Sequence, residues 1–201
     1  MIKVGLCGGI GSGKSTVCNM FEARGAAVYS ADDRAKELMC SPQLSARLVE
    51  AFGEECYLAD GSLNRSWLAA QVFGCAERLA LLNSIVHPAV RADFERWAAE
   101  QECDYVVLEA AILFEAGFDS AVDVTVAVMA PRPLRLERAM TRDGANREAV
   151  EARMAAQLSD EELASRANFS IVNIALEDVE KDVDELNHRF RVMSANRKTI
   201  S

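Results

Sequence analysis

The chain has 201 residues, half of them hydrophobic, and carries a formal net charge of −9. This length predicts a single domain around one sizeable core. The acidic balance argues against a protein that coats nucleic acid or an anionic membrane surface, because both require sustained positive charge. Six cysteines without metal-site or disulfide spacing, and no long apolar segment, predict reduced thiols, a cytoplasmic location and no membrane span.

Short apolar runs rich in Val and Ile predict a parallel sheet of about five strands, because strands buried on both faces show no polar alternation. These runs are Ile2–Cys7, Ala27–Ser30, Tyr105–Glu109, Val122–Met129 and Phe169–Asn173. Segments with helical periodicity lie between them. The alternation predicts an α/β fold with helices packed around a central sheet.

The connection between the second and third predicted strands is about seventy residues long, far more than a crossover needs. It shows helical patterns at 43–52, 65–73 and 75–86, with a restart at Pro88, and therefore predicts a helical insertion at about 38–103. A further helical segment after the fourth strand predicts a lid at about 132–157. The last eight residues, Ser194–Ser201, are polar and are expected to fray.

Residues 8–15 read GGIGSGKS and match the pattern Gly-x-x-x-x-Gly-Lys-Ser, with a predicted strand before it and a predicted helix after it. In such a loop the backbone amides surround phosphate groups, Lys14 reaches the β and γ phosphates, and the Ser15 hydroxyl binds Mg²⁺. The sequence thus predicts binding of ATP with Mg²⁺. The predicted contact residues are Gly8, Gly9, Ile10, Gly11, Ser12, Gly13, Lys14, Ser15 and Thr16.

Carboxylates follow two of the predicted strands, at the sheet edge where open α/β folds bind their ligands. Asp32 follows the second strand and is predicted to be the general base that accepts the proton of an attacking hydroxyl. Asp33 is predicted to cap a helix beginning near Arg34. Glu109 ends the third strand, where it either assists the metal or its waters or is simply a solvated residue.

Arginines recur at Arg135, Arg138 and Arg142, a spacing that places them on one helix face. On a mobile lid they are predicted to close on the triphosphate and to stabilise transition-state charge, with catalytic roles for Arg138 and Arg142. The alternative is a solvated basic face paired with Glu137.

A second cationic set, Arg65, His87 and Arg91, belongs to the predicted helical insertion and would suit an anionic acceptor. The alternatives for His87 are a helix cap or an imidazole packed in the core.

Eight stretches together resemble the dephospho-coenzyme A kinase family from Ile2 to about Phe190. In chain order they are GLCGGIGSGKSTV, VYSADDRAKEL, DGSLNRSWLAAQVF, LNSIVHPAVR, ILFEAGF, RLERAMTRDG, RMAAQLS and ANFSIVN. The resemblance implies a three-layer P-loop kinase fold with a helical acceptor-binding insertion and a helical lid. It also implies ATP-dependent phosphorylation of the ribose 3′-hydroxyl of dephospho-CoA.

Residue roles implied by the resemblance follow the matched positions. Asp32 is the base, and Asn173 lies near the adenine site. Arg65, His87 and Arg91 line the acceptor side. Glu109 is expected on the acceptor side too. The family commonly has Asp at that strand end, and because Glu is one methylene longer, a contact to Mg²⁺ through water is expected in place of a direct one.

Two alternatives share the same phosphate loop: a P-loop kinase of a nucleoside or nucleoside monophosphate, and a nucleotide-driven switch or ATPase without a phosphoryl acceptor. The LNSIVHPAVR stretch favours the coenzyme precursor, and no Asn-Lys-x-Asp run for guanine is present. The expected partners are ATP and dephospho-CoA, with no nucleic acid and no membrane. The expected assembly is a monomer or a weak homo-oligomer.

Overall fold

The structure is a computed structural model that describes residues 1–200. Its five strands form one all-parallel sheet in the order β2-β3-β1-β4-β5. The strands are β1 Ile2–Cys7, β2 Ala27–Ser30, β3 Tyr105–Glu109, β4 Val124–Met129 and β5 Phe169–Val172. The predicted α/β class and all five predicted strands are confirmed, with strand ends shifted by two residues or fewer.

Nine α-helices occur within residues 1–200, together with short 3₁₀ turns at Glu54–Cys56 and Phe118–Ala121. In chain order they are α1 Lys14–Ala23, α2 Ala31–Leu38, α3 Pro42–Phe52, α4 Arg65–Val72, α5 Ala76–Ala99, α6 Arg132–Asp143, α7 Arg147–Ala155, α8 Asp160–Arg166 and α9 Leu176–Ile200. Every helix among these residues is too short or too polar to cross a bilayer.

The chain forms two compact units. The sheet unit contains Met1–Ser30 and the residues from Glu100 onward, and the helical unit is Ala31–Ala99. The sheet and helices α1 and α6 to α9 belong to the first unit, and helices α2 to α5 form the second.

The core of the sheet unit lies where α1 and α9 pack against the sheet. Phe21 of α1, Tyr105 of β3 and Phe190 of α9 are almost fully buried and meet at ring-centroid distances of 5.4–6.1 Å. Such aromatic contacts add to the free energy that burial already contributes. Arg24, the residue that follows α1, pairs with Asp184 of α9 at 2.6 Å. The aromatic contacts join α1 and α9 to β3, the strand that pairs with β1.

The helical unit is organised around α5, against which α2, α3 and α4 pack. The buried carboxylate of Asp93 on α5 accepts hydrogen bonds from Arg34 of α2 at 2.8 and 3.0 Å. The predicted helix break at Pro88 is wrong, because α5 runs unbroken through it. Proline removes one backbone hydrogen bond, but the buried face on both sides of it, with Val86 and Val90, holds the two halves together.

Two helix ends also differ from the sequence prediction. Helix α2 begins at Ala31, so Asp33 lies inside its first turn and pairs with Lys36 instead of capping the helix. Helix α9 continues through the residues expected to fray, with Ser194 buried. Its last turns are held because Arg197 bonds the Asp123 carboxylate at 2.7 and 2.9 Å. Ser201 lies outside the described residues.

Candidate active site

The glycine loop joins β1 to α1, as its sequence context predicts. Gly11 and Gly13 have φ values of 76° and 89°, which side chains other than glycine rarely tolerate. Helix α1 begins immediately afterwards at Lys14, so the amide N–H groups of its first turn lie next to the loop. The partial positive charge of a helix N-terminus favours bound phosphate.

Lys14 and Glu109, both predicted from sequence, lie side by side. The Lys14 Nζ donates to the Gly8 carbonyl at 2.9 Å and lies 3.7 Å from the Glu109 carboxylate. Strand register explains this meeting, because Glu109 pairs with Leu6 of β1 and with Ser30 of β2. The Ser30 hydroxyl donates to the other carboxylate oxygen at 3.4 Å. The prediction that Glu109 is merely a solvated residue is therefore not favoured.

The outer side of the loop is held by the segment predicted to be a lid. Gln157 accepts a hydrogen bond from the Ile10 amide at 2.8 Å, and Arg135 Nε donates to the Ile10 carbonyl at 3.0 Å. The structure corrects the expectation that Arg135 lies on a basic lid face, because it is only 5% exposed. Helical spacing could not reveal this burial. Gln157 belongs to the RMAAQLS stretch, which was its only sequence signal.

The predicted residues Asn173 and Arg138 meet on another side of the loop. Asn173 is buried and its amide group donates to the Ser12 carbonyl at 2.9 Å. Arg138 donates to the Asn173 carbonyl at 3.1 Å. Asn173 therefore supports the phosphate loop directly, and its place near adenine stays a prediction.

Arg142, the other predicted lid residue, is exposed and bonds Asp143 at 2.7 Å. The hydrogen bonds from Arg142 and Arg153 lower the pKa of Asp143 to about 2. An exposed ion pair of this kind contributes little to stability, because solvent screens it. The Arg142 side chain can consequently exchange Asp143 for another anion at little cost.

The family model for dephospho-CoA kinase matches residues 2–178. The chain belongs to this family. Dephospho-CoA kinase from Salinibacter ruber is 48% identical over 177 residues, covering 86% of this chain and 89% of the relative. That from Methylococcus capsulatus is 40% identical over 197 residues, covering 97% and 100% of the two chains. A solved Thermus thermophilus structure is 34% identical with a TM-score of 0.83, covering 92% and 95%.

Membership of the dephospho-CoA kinase family makes the helical unit relevant, because it contains the predicted base and the acceptor-side residues. Asp32 is exposed in the first turn of α2, and Arg65 is the exposed first residue of α4. His87 and Arg91 lie one helical turn apart on α5. Burial lowers the pKa of His87, which favours the neutral imidazole.

Magnesium is the metal that the dephospho-CoA kinase family implies, and the donors present fit it. Ser15 is exposed at the second position of α1, and Glu109 presents carboxylate oxygens beside Lys14. Mg²⁺ takes oxygen ligands and usually retains several waters beside substrate phosphates. No cluster of three or more His, Cys, Asp or Glu side chains suited to a metal occurs in the described part of the chain.

A cleft of about 410 Å³ lies beside the lid helices and is lined by Arg132, Arg135, Gln157 and the acidic residues Asp160, Glu161 and Glu162. Three carboxylates would repel a triphosphate. Because these acids outnumber Arg132 and Arg135 in the lining, the cleft is a poorer candidate for the phosphate site than the glycine loop.

Cys7 and Cys18 lie on either side of the loop, and burial raises the pKa of each thiol to about 12. The thiolate is the reactive form of cysteine. Both side chains are therefore inert packing residues at neutral pH.

Proposed function

We propose that this chain transfers the γ-phosphoryl group of ATP to the ribose 3′-hydroxyl of dephospho-CoA, giving coenzyme A and ADP. The observation that carries the proposal is the glycine loop with Lys14 beside Glu109, in a chain that matches the dephospho-CoA kinase family over residues 2–178. Phosphoryl transfer depends mainly on positioning and on electrostatic stabilisation. The loop would position the phosphates, and the charge of Lys14 would provide electrostatic stabilisation.

ATP binds to the loop from Gly8 to Thr16. Lys14 exchanges the Gly8 carbonyl for phosphate oxygens and places its charge beside the transferred group. Arg138 and Arg142 stabilise the charge of the transition state from the lid. Arg142 leaves its surface pair with Asp143 to do so, and Asn173 contributes on the adenine side.

Ser15 would hold Mg²⁺, with Glu109 as a second holder through water. Bound there with ATP, the ion would supply electrostatic stabilisation of the phosphates. Two side chains position the reacting groups. Lys14 orients the phosphoryl group, and Glu109 holds the Lys14 side chain in place before ATP binds.

Asp32 accepts the proton of the attacking ribose hydroxyl. A carboxylate in the first turn of α2 suits this role because its oxygens are exposed and can reach an incoming hydroxyl. Arg65 and Arg91 supply the positive charge that binds the diphosphate of the acceptor, neutral His87 contributes a hydrogen bond, and Glu109 also contacts the acceptor.

We further propose that the protein acts in the cytoplasm as a monomer or weak homo-oligomer, without nucleic-acid or membrane partners. Six free cysteines support a reducing compartment.

The deciding experiment measures ADP release from MgATP in the presence of dephospho-CoA, AMP, a nucleoside or buffer alone, with mass analysis of the product. Release that requires dephospho-CoA, with a product heavier by one phosphoryl group, is the expected result. ADP release only with AMP or with the nucleoside would mean that the chain is a kinase of that acceptor and not of dephospho-CoA. ADP formed equally in buffer would indicate an ATPase or switch.

A further inference from the structure

Arg135 is a buried cation on the outer side of the phosphate loop. Its side chain is 6% exposed, and a guanidinium taken out of water must have acceptors. It has two: Nε donates to the Ile10 carbonyl at 3.0 Å, and Nη1 donates to the Asp160 carboxylate. The charge is thus anchored by α8 and directed at one peptide of the loop.

That peptide is held from several sides. Gln157 accepts from the Ile10 amide, and the Ile10 side chain is buried with Leu136, Ala139, Val150 and Met154 of α6 and α7. Both polar backbone groups of Ile10 are therefore engaged by the lid segment. The loop cannot turn at this point without breaking these contacts.

The geometry of the Ile10–Gly11 peptide determines where the Gly11 N–H points. A trans peptide is planar, so the carbonyl of one residue and the amide N–H of the next point in opposite directions. The Ile10 carbonyl faces Arg135. The Gly11 N–H consequently points away from the Arg135 guanidinium, as an amide must if it is to reach a phosphate held inside the loop.

The close approach of Arg135 also explains the absence of side chains at two loop positions. A Cβ on Gly9 would lie 2.0 Å from Arg135 Nη2, and a Cβ on Gly11 would lie 2.1 Å from the Arg135 carbonyl oxygen. A larger residue at Gly11 would collide with backbone, and one at Gly9 would displace the Arg135 guanidinium. The glycine loop therefore packs closely against the first turns of α6.

We propose that Arg135 is a positioning residue for phosphoryl transfer: it fixes the Ile10–Gly11 peptide so that the Gly11 N–H faces the bound polyphosphate, with Asp160 anchoring its guanidinium. The proposal deepens the proposed kinase function and rests on it. Arg135 itself does not touch the nucleotide. It acts through the backbone, and lysine cannot replace it because an ammonium lacks the planar fork that reaches two acceptors.

The first test compares Arg135→Lys with Arg132→Lys, the same substitution at an exposed position on the same helix. Calorimetry gives the Kd for MgADP, and kinetics give kcat and KM. Arg135→Lys should raise the Kd for MgADP and the KM for ATP about 10- to 100-fold. It should change kcat little, because the lost contact serves ground and transition states alike. Arg132→Lys should match the wild type.

The second test follows the Gly11 amide directly by ¹H–¹⁵N NMR while inorganic pyrophosphate is added, which requires neither acceptor nor turnover. The Gly11 signal should shift strongly in the wild type and weakly in Arg135→Lys. If the wild type shows this shift but no turnover with dephospho-CoA, the positioning role stands and the proposed acceptor fails.

A purely structural Arg135 would give a different pattern: a lowered Tm with a wild-type Kd for MgADP and an unchanged Gly11 shift. That pattern would overturn the proposal. Asp160→Asn provides a second variant should Arg135→Lys not fold. It keeps the bond to Ile10 but removes the carboxylate, and is expected to raise the Kd for MgADP by a smaller factor. A wild-type Kd in folded Asp160→Asn would overturn the anchoring role.

Discussion

The Nζ atom of Lys14 lies 3.7 Å from the carboxylate of Glu109, and both side chains are largely shielded from solvent. The two residues come from different secondary-structure elements, α1 and β3, and meet because β1 and β3 are neighbours in register. In this arrangement the lysine has a counter-ion before any phosphate binds. Glu109 thereby keeps a flexible cationic side chain at the place where the triphosphate will need it.

Glu109→Gln should lower kcat/KM for ATP by about 10- to 100-fold, as expected when a group that orients a catalytic side chain or metal-bound water is removed. Steady-state kinetics with varied ATP and Mg²⁺ would measure the loss. Glu115→Gln is a suitable control, because Glu115 is exposed and its amide replacement can still accept the Leu158 N–H. Equal activity of the two variants would remove Glu109 from the mechanism.

Asp32→Asn should reduce kcat by about 10²- to 10⁴-fold, because asparagine cannot accept the proton of the attacking hydroxyl. The Kd for MgADP should stay at the wild-type value. Asp33→Asn is the matched control on the same helix, since Asp33 forms an exposed pair with Lys36. A variant at Asp32 that retained normal turnover would contradict its assignment as the base.

Gly11→Ala should destabilise the protein more than Gly144→Ala does. Both glycines have positive φ, and alanine there costs about 1–2 kcal/mol. Only at Gly11 would the new Cβ also collide with backbone, 2.1 Å from the Arg135 carbonyl oxygen, whereas nothing lies within 4 Å at Gly144. Urea unfolding of the two variants would compare the costs, and equal values would argue against close packing of the loop on α6.

His87 should make stability depend on pH. Burial lowers its pKa below the ordinary 6.5, so the unfolded chain takes up this proton more readily than the folded one. The contribution is therefore fully present above about pH 6.5 and is lost as the pH falls through the lowered value. His87→Gln should lose less free energy of unfolding than the wild type between about pH 7.5 and about pH 5.

His188→Gln is the control for this measurement, because His188 is the only other histidine and is exposed. If His87→Gln and the wild type lost the same free energy of unfolding over this pH range, the lowered pKa of His87 would be contradicted.

The strands, the glycine loop and the family of this protein could be predicted from its sequence alone. Apolar runs without alternation predicted all five strands, although only β1, β3 and β4 are largely buried and the edge strands β2 and β5 are partly exposed. A glycine loop between a strand and a helix predicted the phosphate site, because both patterns reflect local backbone requirements. Lys14 and Glu109 were found in the same way, since each occupies a defined place at the end of a strand or the start of a helix. Eight stretches in a fixed order identified the family.

Other features depended on contacts between residues far apart in the chain. The sequence placed Arg135 on a basic lid face, but packing of α6 on the loop buries it between Ile10 and Asp160. Pro88 was expected to break a helix that packing keeps continuous, and the C-terminal turns expected to fray are held by Arg197 and Asp123. Helical spacing reports which residues share a face. Only the tertiary structure decides what that face meets, because burial and long-range hydrogen bonds outweigh local preference.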